Sequence, residues 1–181
     1  VIISYTIATN PVITQTSGLT SGSFFPVGVT QNAYQITCPD GSTSQCSFNV
    51  VVHDGEAPIA SAQNVVVQLD ATGNGSTTAL LVDNGSNDAC GIASLDANPS
   101  TFDCSDLAGV SSLLTVTDVN GNTASCFAQI TVEDNLAPDA ICQDITVQLD
   151  ANGTVTIVAS QVNNGSSDNC TVQSVTVSPT G

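Results

Sequence analysis

The sequence predicts an all-β protein: antiparallel β-sandwich modules in tandem, arranged end to end. Three observations carry this expectation. A block of residues recurs at a fixed offset, the composition favours strands, and turn signals fall at short intervals.

The recurrence sets the organisation. The segment 57–136 begins to repeat at Ala137, an offset of 137 − 57 = 80 residues. Val67-Gln68-Leu69-Asp70 returns as Val147-Gln148-Leu149-Asp150, and the loop Asn84–Cys90 returns as Asn164–Cys170. The same shift carries Gly41, Cys46 and Asp54 onto Gly121, Cys126 and Asp134. A fixed period of this size marks tandem modules, each with its own core. Residues 1–55 are expected to be the C-terminal part of one module, 56–136 a complete module, and 137–181 the N-terminal part of the next. The chain then reads as a window on a longer array.

Composition supports strands. Hydrophobic residues make up 41% of the chain and aromatics only 4%. The apolar content is mainly Val, Ile, Leu and Ala beside abundant Thr and Ser, a mixture that fits a pleated surface. So much apolar content rules out a disordered acidic tail.

Each element of the complete module has its own signal. Ser61–Leu69 alternates apolar and polar residues, and Asp70-Ala71-Thr72-Gly73-Asn74-Gly75 turns the chain. Ser76–Val82 is expected as a second strand, followed by the polar loop Asp83–Ala89. Ile92–Ala97 is a third strand, stopped by Asn98-Pro99, and Phe102–Cys104 a short edge piece. Ser112–Thr117 and Thr123–Val132 form a hairpin whose turn contains Asn120-Gly121, a strong hairpin signal. Short strands at this spacing, with no helical periodicity, point to an immunoglobulin-like sandwich. Phe24, Phe25, Tyr34, Phe48 and Phe127 are expected in cores.

Charge excludes whole classes of function. The chain has 16 Asp and Glu, no Lys, no Arg and one His, for a formal charge of −16. Without cations to displace phosphate counterions there is no nucleic-acid binding, no P-loop lysine and no Schiff-base chemistry. No run approaches the roughly 18 apolar residues that span a bilayer, so no membrane insertion is expected in this segment. His53 has no evident nucleophile or orienting partner, and no Gly-x-Ser-x-Gly elbow appears, so the chain is not expected to be an enzyme.

Seven cysteines in a strand-rich chain point to an oxidising, extracellular setting. A module of this size buries only about 60% of its unfolded surface, so disulfides have a stabilising task. Cys90 and Cys104 flank the third strand and its return and are expected to bond. Cys38 and Cys46 bracket the Asp40-Gly41 hairpin, where a second bond is plausible.

The acidic loops are where chemistry can reside. In such a sandwich the loop after the second strand and the last hairpin turn share an end with the incoming linker. This gathers Asp83, Asp88, Asp118 and Asn120 with linker residues Asp54 and Glu56. The following junction gathers Glu133, Asp134, Asn163 and Asp168, completed by a hairpin turn beyond Gly181. Converging carboxylates without basic partners repel unless a cation lies between them, and calcium accepts six to eight oxygen ligands in adaptable geometry. The expected cofactor is therefore calcium at module junctions. The competing reading is that these Asp, Asn and Gly residues simply form turns.

Several stretches resemble the hyalin repeat. They are Phe25-Pro26-Val27-Gly28, Ala33-Tyr34-Gln35-Ile36, Cys46-Ser47-Phe48-Asn49-Val50 and, more closely, Val116–Cys126. The Ala-Pro starts, the Val-Gln-Leu-Asp element and the Asn-Gly-Ser-x-Asp-x-Cys loop are similar to tandem repeats in very large surface adhesins of gliding bacteria. The resemblance implies an extracellular, immunoglobulin-like, non-enzymatic module serving cell-surface adhesion. It also implies that a first-strand cysteine meets a last-strand one. Cys142 would then pair beyond the C-terminus, and Ala62 leaves Cys126 without a mate.

Three functions compete: a structural stalk whose partners are neighbouring modules, a module binding a surface polysaccharide or protein, and an array accessory to a secreted hydrolase.

Overall fold

A computed structural model describes residues 10–178. It is an all-β structure with very little helix. The chain divides into two compact units, Val1–Glu56 and Ala57–Gly181.

The first unit contains β1 (Val12–Ser17), β2 (Gly28–Thr37) and β3 (Thr43–Val52), an antiparallel sheet in that order. The β2–β3 turn is fixed by Asp40, whose Oδ1 accepts hydrogen bonds from the Ser42 N–H (2.9 Å) and hydroxyl (2.7 Å). Register opposes Asn32 to Phe48 and Tyr34 to Cys46. Residues two apart share a sheet face, so Tyr34 and Phe48 meet there, their rings stacked 6.1 Å apart.

The second unit is built on a four-stranded sheet. Its strands are β4 (Val65–Gln68), β6 (Ile92–Asn98), β8 (Val110–Asp118) and β9 (Thr123–Glu133), in the order β4-β9-β8-β6. A ribbon of β5 (Asn74–Ser76) and β7 (Thr101–Asp103) and a single helical turn, α1 (Ala79–Val82), supply the opposing layer. Val67, Leu114, Val116, Ile130 and Val132 from the sheet meet Val82 and Phe102 in one buried cluster. Gly75 is needed here, since a Cβ would stand 2.6 Å from the Val67 side chain.

Three expectations change. The pairing is not wholly antiparallel: β4 runs parallel to β9, from Val65 opposite Ile130 to Gln68 opposite Glu133. Ser76–Val82 is not a strand. Its first residue ends β5, and the chain then turns once as a helix, with the Asp83 N–H donating to the Ala79 carbonyl. A strand would put Leu80 and Val82 on one face, whereas the turn buries Val82 completely and leaves Leu80 75% exposed. Most aromatics lie outside the core as well. Phe24, Phe48 and Phe127 are exposed, and among the described residues the buried ring is Phe102.

Residues 137–178 repeat the local features of 57–136 at the same offset. A second helical turn, α2 (Ala159–Val162), matches α1. The isolated bridges Ile59–Asn87 and Ala62–Asp83 return as Asp139–Ser167 and Cys142–Asn163. Gly73 and Gly153 share φ of +75°. No strand is formed among the described residues of this second copy.

Candidate functional site

Most candidate carboxylates are held by the backbone of their own turns. Asp83 accepts from the N–H groups of Gly85 and Ser86, both 3.1 Å away. Ser86 holds its carboxyl below the ordinary value, against the opposing effect of burial. Asp88 accepts from Cys90 and Gly91. Asp54, in the first unit, accepts from the Glu56 N–H at 3.2 Å. Asp118 is buried, which pushes its pKa up. Hydrogen bonds from the Asn122 side chain and the N–H groups of Asn122 and Asn120 outweigh that and leave it lowered. The Val119 N–H donates to the Gly91 carbonyl, so the Asp118–Asn122 turn lies against the loop that follows Asp88.

Between the two copies the residues separate into those that meet and those that do not. Glu133 turns toward Gln68 and Asn135. Asn163 accepts from the Ser166 N–H inside its own loop, and Asp168 from the Cys170 N–H. Asp134 crosses to the second copy, its Oδ1 accepting from the Asn169 amide at 3.1 Å. The same amide donates to the Asp70 carbonyl, also at 3.1 Å. Beside it lies a cleft of about 310 Å3 whose lining includes Leu136, Asp139, Asp168 and Asn169. The hairpin turn expected beyond Gly181 lies outside the described residues.

A covalent bond closes this junction. Cys104 is joined to Cys170 across 66 residues, with Cα atoms 5.4 Å apart. That bond replaces the expected Cys90–Cys104 pair. Cys38 and Cys46 are not bonded either. Cys38 meets Ser42 at the hairpin end while Cys46 is opposite Tyr34, four strand positions further on. Four positions span roughly 13 Å, beyond the reach of a disulfide. Cys126 is partly buried. Burial first, and then the nearby Asp83 charge, push its thiol pKa up.

Sequence reasoning missed Asn169, Asp70 and Asp139. The repeat itself held the signal for the first, because Ala89 stands where the second copy has Asn169.

The donor set bears on calcium in two ways. Among the described residues of this unit, no three Asp, Glu, His or Cys ligand atoms lie within 4.8 Å of one another, so carboxylates alone form no cage. Yet two oxygens, from Asp134 and Asp70, converge on the Asn169 amide, while its Oδ1 is buried without a hydrogen-bond partner. With the Asn169 amide reversed, its oxygen would join those of Asp134 and Asp70 in a set of three oxygens that a cation could bridge.

The chain matches no protein-family model and no curated protein.

Proposed function

We propose that the chain is a structural stalk segment of an extracellular bacterial surface adhesin. On this reading it is built from hyalin-repeat-like, immunoglobulin-like modules and has no catalysis of its own. The observation that carries this reading is the Cys104–Cys170 bond, which fastens one copy of the repeat to the next. Under tension the bond keeps the residues between Cys104 and Cys170 from being drawn out even where their packing gives way. The parallel β4–β9 pair adds support. These are the first and last strands of 57–136 in chain order, and tension at their opposite ends loads all four register pairs together. A disulfide also suits an oxidising exterior.

Calcium belongs to the same proposal. The ion would sit at the junction between Asp134, the Asp70 carbonyl and Asn169, with Asp139 and Asp168 lining the adjoining cleft. It would add a second tie beside the disulfide and neutralise local charge.

The two halves of the reading have separate tests. An antibody raised against the chain should label intact cells of the producing organism, and labelling only after lysis rejects the surface role. The melting midpoint should rise in calcium and fall back with chelator, and identical midpoints reject the ion.

A further inference from the structure

The chain carries five Asn-Gly pairs. In such a pair the glycine nitrogen can attack the asparagine side chain, since no Cβ screens the approach. This chemistry is one reason that asparagine is thermolabile. Four of the pairs are protected. The Gly85 N–H donates to Asp83 Oδ2 at 3.1 Å, that of Gly121 to the Asp118 carbonyl at 3.3 Å and that of Gly153 to the Asp150 carbonyl at 3.0 Å. Gly75 is enclosed in β5, opposite Phe102 of β7. The fifth, Gly165, has an N–H that meets no acceptor among the described residues.

One difference between the copies causes this. Position 83 is Asp and position 163 is Asn. Asp83 spreads two carboxylate oxygens over two donors, Gly85 and Ser86. Asn163 has a single oxygen, which takes the Ser166 N–H at 3.0 Å, and its amide nitrogen can only donate. The loops otherwise match. The Asn84 N–H donates to the Ser61 carbonyl at 2.9 Å and the Asn164 N–H to the Ile141 carbonyl at 2.8 Å. Gly85 and Gly165 have φ of +81° and +90°, and both asparagines are exposed.

We propose that Asn164 is a site of spontaneous modification, converted to isoaspartate and aspartate through attack by the Gly165 nitrogen. That nitrogen gives its proton to solvent and bonds to Asn164 Cγ. The Cγ–Nδ2 bond breaks, and the amide nitrogen leaves as ammonia after taking up a proton. Water then opens the cyclic imide. Opening at Cγ gives aspartate, and opening at the backbone carbonyl gives isoaspartate. One water enters and one ammonia leaves, so no oxidant is needed. At Gly85 the Asp83 carboxylate holds the proton that must depart and opposes the negative charge that would form there. The proposal rests on hydrogen bonding inside the loop and stands whether or not the chain is a surface stalk.

The change falls where the loop grips the start of the second copy. The Ser166 hydroxyl accepts from the Ile141 N–H at 2.9 Å, beside the bond from Asn164 to the Ile141 carbonyl. Isoaspartate lengthens the backbone between those two contacts, so they no longer fit Ile141 together. It also adds a negative charge to a loop that already carries Asp168.

The test follows the folded 181-residue chain over time in mildly alkaline buffer. Samples are cleaved before aspartate, since the chain offers trypsin no Lys or Arg, and mapped by mass spectrometry. Asn164 should convert first of the five, about tenfold faster than Asn84, the ratio supplied by the low end of a hydrogen bond to a charged group. In urea, where the loops are lost, the two rates should converge. Asn163→Asp should slow Asn164 to the rate of Asn84, and Asp83→Asn should quicken Asn84. Equal rates at Asn84 and Asn164 in the folded chain, a difference that persists in urea, or an Asn163→Asp variant that leaves Asn164 as fast as before overturns the proposal.

Discussion

Val67-Gln68-Leu69-Asp70 and Val147-Gln148-Leu149-Asp150 are the same four residues in the same local setting, yet only the first contributes to a strand, β4, through Val67 and Gln68. Leu69 is 5% exposed and Leu149 65%. The difference is the partner. Val67 and Gln68 lie beside Val132 and Glu133 of β9, whereas the second copy has no such strand among the described residues. The turns that follow are alike in both copies. Asp70 accepts from the N–H groups of Thr72 and Asn74, and Asp150 from those of Asn152 and Thr154. Turns are settled within a few residues, while strands wait for a neighbour far along the chain.

This contrast can be pressed at four places, beginning with the bond that ties the copies together. Replacing Cys104 with Ser releases a constraint over 66 residues, and the chain-entropy account puts the loss at about 4 kcal/mol. Urea unfolding of the oxidised protein beside the variant measures it, and equal midpoints would mean that the bond adds no stability. Next come the leucines. Leu69→Ala should cost about 3 kcal/mol as a core truncation, against about 0.5 kcal/mol or less for Leu149→Ala at low protein concentration. Equal costs would show that the second leucine is covered in solution.

The glycines form a finer pair. Gly73 and Gly153 share φ of +75°, but a Cβ on Gly73 would stand 2.8 Å from the Asn169 carbonyl oxygen and the Cys104 sulfur, while Gly153 has open space. Alanine in the left-handed region costs about 1 kcal/mol, the expected figure for Gly153→Ala. The clash should raise Gly73→Ala to about 2–3 kcal/mol. Thermal melts of the two variants decide it.

Acid gives the smallest contrast. Asp70 is held below its ordinary pKa of 3.8 by the Thr72 hydroxyl and then the Asn74 N–H. Asp150 is held below the same value by the Thr154 N–H and then its hydroxyl. A lowered folded pKa stabilises above the unfolded value, and that stability is lost as pH falls through the folded one. Melting midpoints should therefore decline below about pH 4. Asp70→Asn and Asp150→Asn should flatten that decline alike. Unequal flattening would mean that the turns are not independent of their surroundings.

The same division explains what was legible in the sequence. The β8–β9 hairpin and the Asp70 turn are written in Asp, Asn and Gly, whose side chains and backbone freedom act over a few residues. Ser76–Val82 misleads because a single helical turn is too short to show a period. The β4–β9 pairing was hidden because it joins residues 65 apart, as in Val65 and Ile130. The Cys104–Cys170 bond was hidden too, since flanking position favoured Cys90. At the junction, Asp134 and Asp168 could be named from charge alone. Asn169 could have been found by asking where the two copies of the loop differ.

The span of that bond also governs how the molecule comes apart. A protease that cuts the backbone once between Cys104 and Cys170 releases neither piece, because the sulfur bridge still holds them. The wound stays invisible to sizing until a reductant is added. Damage of this kind would build up silently in oxidising surroundings and be revealed all at once when they turn reducing.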